Sequence, residues 1–346
     1  MGHLCWSTGK KIARSKQKII KIYKITYMSE GNYAPIIVSV YDRLDHLKRN
    51  IKALLNNRLA AESLLYIVSD AAYKSEHQSR INDVRKYASS ISGFKEVRLL
   101  FREKNLGAHE SIKSAIEEVL LTYDTFIFLE DDIIVAQNFL SYMNEGLAYY
   151  KGMDNVFAVC GFSLPFPLPK DYRQDVYFYP CNSPWGFATW RDRWEKVNLD
   201  YFDREAELKK NRCRYKAFVS IGFFIKGILK ADSRRVIEAM DLRVYFHMFQ
   251  WGLCSVFPTV SKTQNWGFDG TGEHCGENNG TWWVKPELDI RNQPTQFIPF
   301  NGYNAELLKN HRVFQDKING GFLAKWLKYT WIHDLWKRLK THTNSI

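Results

Sequence analysis

The chain has 346 residues and a mass of 40.6 kDa, enough for one large α/β domain with an annex or for two smaller domains that share an interface. Hydrophobic residues make up 45% and charged residues 25%, a balance that excludes extensive disorder. A formal net charge of +12 calls for an anionic partner: nucleic acid, an anionic membrane surface or a polyanionic substrate.

The charge gathers at the two ends. Seven Lys or Arg and no acid lie between Lys10 and Lys24, interleaved with Ile12, Ile19, Ile20, Ile22 and Ile25. The tail repeats the pattern with Lys325, Lys328, Lys337, Arg338 and Lys340. The six cysteines are scattered without a Cys-x-x-Cys pair, so neither a zinc ribbon nor a disulfide framework is expected and a reducing compartment fits. No apolar run approaches the roughly 20 residues that span a bilayer, and the N-terminus lacks the apolar core of a signal peptide. A cytoplasmic protein is the expectation. Aromatic residues are abundant at 15%, with 11 Trp, which suits sugar-stacking surfaces, a membrane interface or a Trp-rich core.

From Pro35 to Cys160 short β-branched or aromatic runs alternate with helical stretches, the pattern of βαβ units around a mostly parallel sheet. The runs predict strands at Ile36 to Val40, Leu64 to Ser69, Glu96 to Phe101, Thr125 to Glu130 and Val156 to Cys160. Helices are predicted at Asp45 to Asn56 and Ala108 to Leu121, where apolar residues recur near every 3.6 positions. The stretch Leu164 to Pro169 holds three prolines and reads as a surface connection. Beyond it the chain is richer in aromatics and less regular, with a helix predicted from Ser233 to Gln250 and a Gly-rich loop from Gly267 to Gly280.

In such sheets ligands bind beyond the carboxyl ends of the strands. The residues there are Tyr41, Asp42 and Arg43, then Asp70, then Asn105 and Gly107, then Glu130, Asp131 and Asp132. The three consecutive acids are the strongest signal, because adjacent carboxylates at the end of a buried strand repel unless a cation or solvent meets them. Mg²⁺ or Mn²⁺ is the natural match, since either also bridges to the oxygens of a diphosphate. Asp42 and Asp70 are placed to accept hydrogen bonds from a base or ribose, and equally to cap a helix or form a turn. The Asn105-Leu106-Gly107 run could bring backbone close to a ligand or form a plain turn. Displacement at an anomeric carbon also needs a base opposite the leaving group. Asp241 is the leading candidate, with Glu238 one turn earlier in reserve; an exposed Asp241 paired with Arg243 or Arg235 is the alternative. His274, in the Gly-rich loop, is a candidate further ligand to a metal or diphosphate, or an ordinary loop histidine.

As a group these residues resemble the GT-A-fold glycosyltransferases, specifically bacterial family 2-like enzymes distantly similar to N-acetylglucosaminyltransferase I. The likeness runs from about Pro35 to Gly276. It is carried by Asp42-Arg43, Val68-Ser69-Asp70, Lys104 to Gly107, Leu129 to Ile133, Val159 to Phe162, Ser183 to Trp194 and Asn265 to Gly270, in that order. The resemblance implies a Rossmann-type mostly parallel sheet flanked by helices and a less regular acceptor-side region. It implies a nucleotide-sugar-binding half over 33–162 and an acceptor-binding and catalytic half over 163–292, to which the charge pattern of the ends adds a basic arm over 1–32 and a C-terminal extension with a basic amphipathic helix over 293–346.

Functionally the resemblance implies sugar transfer with inversion from a nucleotide-sugar, a UDP-sugar being favoured, to a glycan or lipid-linked glycan in surface polysaccharide synthesis. Tyr41, Asp42, Arg43, Asp70, Asn105, Gly107, Glu130 and Asp131 would bind the donor, and Trp185, Gly186 and Trp190 the acceptor or sugar. Asp132 would be the direct metal ligand, with His274 at the end of the closing loop. In the family the base usually follows a Trp, whereas here Met240 precedes Asp241. The tail, with Leu323, Leu327, Trp331, Leu335 and Leu339 every four residues, suits an interfacial helix on anionic lipid at the inner face of the cytoplasmic membrane, or packing against the enzyme. Two other functions fit less well. A sugar nucleotidyltransferase would show a Gly-rich phosphate loop after the first strand, where Tyr41 to His46 has no glycine. A basic nucleic-acid-binding protein would not concentrate acids at a strand end and its positive charge at the termini, so no nucleic acid is expected as partner.

Overall fold

The computed structural model describes residues 33–222, 224–271 and 282–318. The basic arm, His274 and the tail beyond Ile318 lie outside the described residues. The five strands predicted up to Cys160 are all present: β1 (Ile36–Val40), β2 (Leu64–Ser69), β3 (Glu96–Phe101), β4 (Thr125–Glu130) and, after a short β5 (Ile133–Val135), β6 (Val156–Cys160). They are joined by β7 (Val176–Tyr179), β8 (Phe187–Trp190) and β9 (Cys254–Pro258) in one eight-stranded sheet of order β3-β2-β1-β4-β8-β6-β9-β7. All neighbours on the β3 side of β4 are parallel, as are β6 and β9, while β8 and β7 run against them. The mostly parallel α/β architecture is the expected one. Residues 33–162 and 163–292 both contribute strands to this sheet, and β8 from the second stretch lies between β4 and β6 from the first.

Alternation along the strands divides the core into two layers. Ile36, Val38, Ile127 and Leu129 face helices α1 (Leu44–Leu55) and α4 (Phe139–Tyr150), while Ile37, Phe126 and Phe128 face α3 (Gly107–Leu120), which follows the smaller α2 (Gln78–Ala88). The layer beneath α3 also takes in Val244 and Met248 of α9 (Met240–Trp251) and Leu307 and Phe314 of α10 (Ala305–Ile318). Between them come α5 (Arg191–Trp194), α6 (Arg204–Lys209), α7 (Arg212–Phe218) and α8 (Phe224–Ser233). Phe218, Leu229, Leu242, Tyr245 and Phe246 make a third, separate cluster there. The stretch Leu164 to Pro169 has no regular structure, but it is no surface strap: Phe166 is buried and lies edge-on to Tyr177 and to His311 of α10.

The helix expected from Ser233 to Gln250 begins only at Met240, because Ser233 is the last residue of α8. After α8 the chain takes a left-handed turn at Arg235 (φ 56°), and the Val236 amide donates back to the Ala231 carbonyl at 2.9 Å, a Schellman-type stop. Arginine carries no sequence signal for that conformation. The break is held from below by Asp232, fully buried, whose carboxylate lies 3.7 Å from Arg204 and 3.3 Å from Arg243 and accepts from the Ala239 amide at 3.2 Å. It thus sets where α9 begins.

A second buried ion pair fastens the chain leaving β10 (Thr263–Asn265). Lys262 Nζ lies 2.5 Å from Asp289, whose oxygens also take Arg291. Although burial works against the Asp289 charge, its hydrogen bonds to Arg291 and Lys262 hold the carboxyl well below the usual range, whereas burial pulls Lys262 down despite its partner. Asp289→Ala, which strands the ammonium, is expected to destabilise the protein by about 3–5 kcal/mol at neutral pH. A depressed carboxylate stabilises only above its unfolded pKa of about 3.9. Urea unfolding should therefore show the wild-type advantage shrinking as pH falls through and below that value.

Candidate active site

The candidate site forms where β1 and β4 end side by side. The Asp131 amide donates to the Ser39 carbonyl at 3.0 Å and prolongs the β1–β4 ladder by one residue. Asp132 accepts at its carbonyl from the Trp266 amide at 2.9 Å, which prolongs the small antiparallel sheet of β5 and β10. The two acids therefore form a tight turn pinned from both sides. Asn50 of α1 closes it underneath, donating to the carbonyls of Glu130 (3.2 Å) and Ile133 (2.7 Å).

Both acidic side chains are buried, at 1% and 5% exposure. Arg43, the residue before α1, meets them: its guanidinium bonds both oxygens of Asp131, with Nε 3.2 Å from Oδ2, and reaches Asp132 Oδ2 at 2.9 Å. Burial opposes the Arg43 charge, but these two carboxylates hold its pKa above the usual arginine value. Burial pushes the Asp131 carboxyl up to about 7 against the pull of Arg43. It pushes Glu130 to about 8, with repulsion from Asp132 and Asp241 adding to the effect. Three acids face one cation, and Asp132 Oδ1 is buried with no hydrogen-bond partner.

Gly267 packs directly on the Asp132 carboxylate, and a methyl at its Cα would overlap that group. The glycine is required for this close approach. Beyond it Asp269 pairs with His46 of α1 at 3.2 Å, which ties the loop after β10 down beside the acids. Asp241 lies in the first turn of α9 and is open to solvent, yet the surrounding protein raises its carboxyl to about 6. Its repulsion reaches Glu130. Glu238, in the link before α9, is exposed and acts instead on His109, which lies 3.4 Å from Arg243.

The remaining expected residues divide into three groups. Tyr41 and Asp42 continue from β1 toward α2, where the Tyr41 hydroxyl bonds His77 (2.8 Å) and the Tyr73 amide (2.9 Å), and Asp42 bonds Arg80 at 2.8 Å. Asp70, Asn105 and Gly107 engage one another. The Asp70 carboxylate accepts from the amides of Ala71, Leu106 and Gly107 and from Asn105 Nδ2, so each oxygen already has at least two donors, and its visible work is to cap α3. Gly107 takes φ 78° to bring its amide there.

Trp185 and Gly186 stand at the carboxyl end of the parallel strands. Trp185 stacks on Trp283 at 6.0 Å and meets Phe162 and Phe268 edge-on. Phe162 and Phe268 lie in segments that carry the resemblance, but they and Trp283 were not read as one wall, because no spacing rule links three distant aromatics. Trp190 must be corrected as a sugar contact: β8 runs antiparallel, so Trp190 pairs with Thr125 at the opposite end of the sheet from the acids. There it is 4% exposed and stacked under Arg193 at 3.4 Å, a core residue.

No protein-family model matches the chain, and no curated protein does. Among solved structures it is similar to S. aureus TarS, with 12% identity, a TM-score of 0.30, and 42% of this chain matched to 25% of that one. For TarS 1-349 the identity is 13% and the TM-score 0.28, over 42% of this chain and 39% of that chain. For an active-site mutant of LgtC the identity is 12% and the TM-score 0.35, over 62% and 70%. At this level of overlap the likeness assigns neither substrate nor chemistry. Among the described residues no helix is long and apolar enough to cross a membrane.

The clamp makes a measurable demand. Arg43→Met, which leaves the buried acids without their cation, should cost about 3–5 kcal/mol in urea unfolding at pH 8. The cost should shrink as pH falls below about 7, because Asp131 and Glu130 then take up protons and no longer need the guanidinium.

Proposed function

We propose that this protein is a glycosyltransferase that moves a sugar from a nucleotide-diphosphate donor, a UDP-sugar by preference, to a glycan or lipid-linked glycan acceptor in surface polysaccharide synthesis. The observation that carries the reading is the buried acid turn at the carboxyl end of a parallel sheet, with the charge of Asp241 acting on Glu130 beside it. The donor's diphosphate would lie over Asp131, Asp132 and Arg43, and the wall of Trp185, Phe268 and Trp283 would stack against a sugar ring.

A divalent cation, Mn²⁺ or Mg²⁺, fits the unpartnered Asp132 Oδ1. Among the described residues no group of three or more His, Cys, Asp or Glu side chains could hold an ion by itself. The other ligands would be phosphate oxygens and water, the usual arrangement for Mg²⁺ with one or two carboxylates. When bound, the cation would neutralise the charge of the leaving diphosphate. Arg43 meanwhile keeps the acid turn in place and presents a second positive charge to the same region.

In this reading Asp241 accepts the proton of the acceptor hydroxyl as its oxygen attacks the anomeric carbon opposite the departing nucleotide diphosphate, which inverts the configuration. A carboxylate raised to about 6 remains ionised at neutral pH and is a better base than an ordinary aspartate. Peripheral attachment through the basic terminal segments would bring the enzyme to a lipid-linked acceptor at the inner membrane face.

Two experiments test this. Calorimetric titration with UDP-sugars should show donor affinity falling at least tenfold on chelation of Mn²⁺ or in Asp132→Ala; unchanged affinity would remove the metal from the mechanism. In transfer assays kcat should drop about tenfold per unit below pH 6, because protonated Asp241 cannot serve as base, and Asp241→Asn should lower kcat by about 10²–10⁴-fold. Donor affinity should be nearly unchanged in that variant. A flat acidic limb in the wild type would assign the base elsewhere.

A further inference from the structure

A second cavity lies on the far side of the sheet from β3. It has a volume of about 340 Å³ and opens between the outer edge of β7 and the segment 298–304. From β4 to β7 is four strand spacings, roughly 19 Å at about 4.8 Å each. The cavity is therefore separate from the acid turn.

Its chemistry is unusual for so basic a chain, because none of its lining residues is charged. The half-buried ring of Tyr172 shares it with three exposed amides, Gln174, Asn301 and Asn304, while Tyr177 and Phe178 close its floor with their rings packed into the core. The edge of β7 adds backbone groups. The Thr259 amide bonds the Asp175 carbonyl at 2.8 Å, so Asp175 and, two residues on, Tyr177 bond inward to β9. By the same alternation Val176 and Phe178 turn their N–H and C=O groups outward. The Val176 carbonyl takes the Tyr172 hydroxyl at 2.7 Å, whereas Phe178 presents its outward pair to the cavity. Asn304 uses its Oδ1 on the Leu307 amide at 3.0 Å to cap α10, which leaves its NH₂ group for a ligand.

These features select a class of ligand. A nucleotide or other anion would find no cation here, and an ammonium no carboxylate, so a charged group would be desolvated without compensation. A purely hydrocarbon chain would strand the amides and the strand edge. An uncharged sugar unit satisfies both: its C–H face packs on the Tyr172 ring, and its hydroxyls donate to and accept from the amides and the strand edge. The volume falls within the range of small-ligand sites.

We propose that this cavity is a second carbohydrate site that binds one or two uncharged sugar units of a glycan away from the catalytic cleft. The proposal rests on the lining alone and does not require the assignment of Asp241 or of a metal.

The test is calorimetry of the full chain against lactose, maltotriose and N,N′-diacetylchitobiose at millimolar concentration, without donor. Saturable binding of at least one probe is expected. It should weaken about tenfold in a Gln174→Ala and Asn301→Ala double variant, the size expected for one or two lost hydrogen bonds, and persist in Asp132→Ala. Both substituted side chains are exposed, so the fold should survive, and UDP-sugar hydrolysis should continue at the wild-type rate. Absence of binding to all three probes, binding indifferent to the double substitution, or binding lost in Asp132→Ala would each overturn the proposal. Loss of UDP-sugar turnover in the wild type would instead count against the proposed function and leave this site standing.

Discussion

Two neighbouring aspartates cannot both be buried at a strand end without a countercharge, and the guanidinium of Arg43 supplies it. Its planar fork can hold both oxygens of one carboxylate and still reach the next, which a lysine could not do. Because Arg43 leaves β1 and the acids leave β4, the ion pair locks together the ends of two adjacent strands. Asn50 then satisfies the carbonyls around the turn, and the loop after β10 can close over it only through a residue without a side chain, Gly267. The cleft is thus shaped around a charge problem. Its solution leaves one carboxylate oxygen, Asp132 Oδ1, unspent.

The same device recurs at the start of α9. Asp232 sits wholly buried between Arg204 and Arg243 and accepts from the Ala239 amide, which fixes where the helix that carries Asp241 begins. Here the pairing is structural, with every charge turned inward. At the acid turn the negative charges outnumber the positive one. An excess of buried negative charge of this kind is what the proposed cation would relieve.

The parallel half of the fold was legible because β1, β2, β4 and β6 are buried on both faces and read as largely apolar runs, while the more exposed β3 still shows β-forming residues between turn signals. The acid turn was legible for the same reason: nothing but a ligand or a countercharge explains Glu130-Asp131-Asp132 after such a run. What could not be read were features set by distant partners. Arg43 was singled out at the end of the first strand as a donor contact, but only the fold shows that its guanidinium is held by Asp131 and Asp132. Trp190 belonged to a tryptophan-rich segment with Trp185, and only the antiparallel course of β8 reveals that five residues carry the chain from one end of the sheet to the other. Asp70 could have capped a helix or met a ligand, and its oxygens turned out to be filled by backbone amides. The end of α8 rests on a left-handed arginine, a conformation that sequence patterns assign to glycine or asparagine.

The position of β8 has a consequence for how the chain reaches this state. β4 and β6 come from the first 160 residues, yet nothing joins them into one sheet until residues 187–190 enter between them and pair with both. Until then the facing edges of these two apolar strands are unpaired templates for mispairing. Assembly of the sheet is thereby a late event of high contact order, slow by nature and dependent on the whole chain.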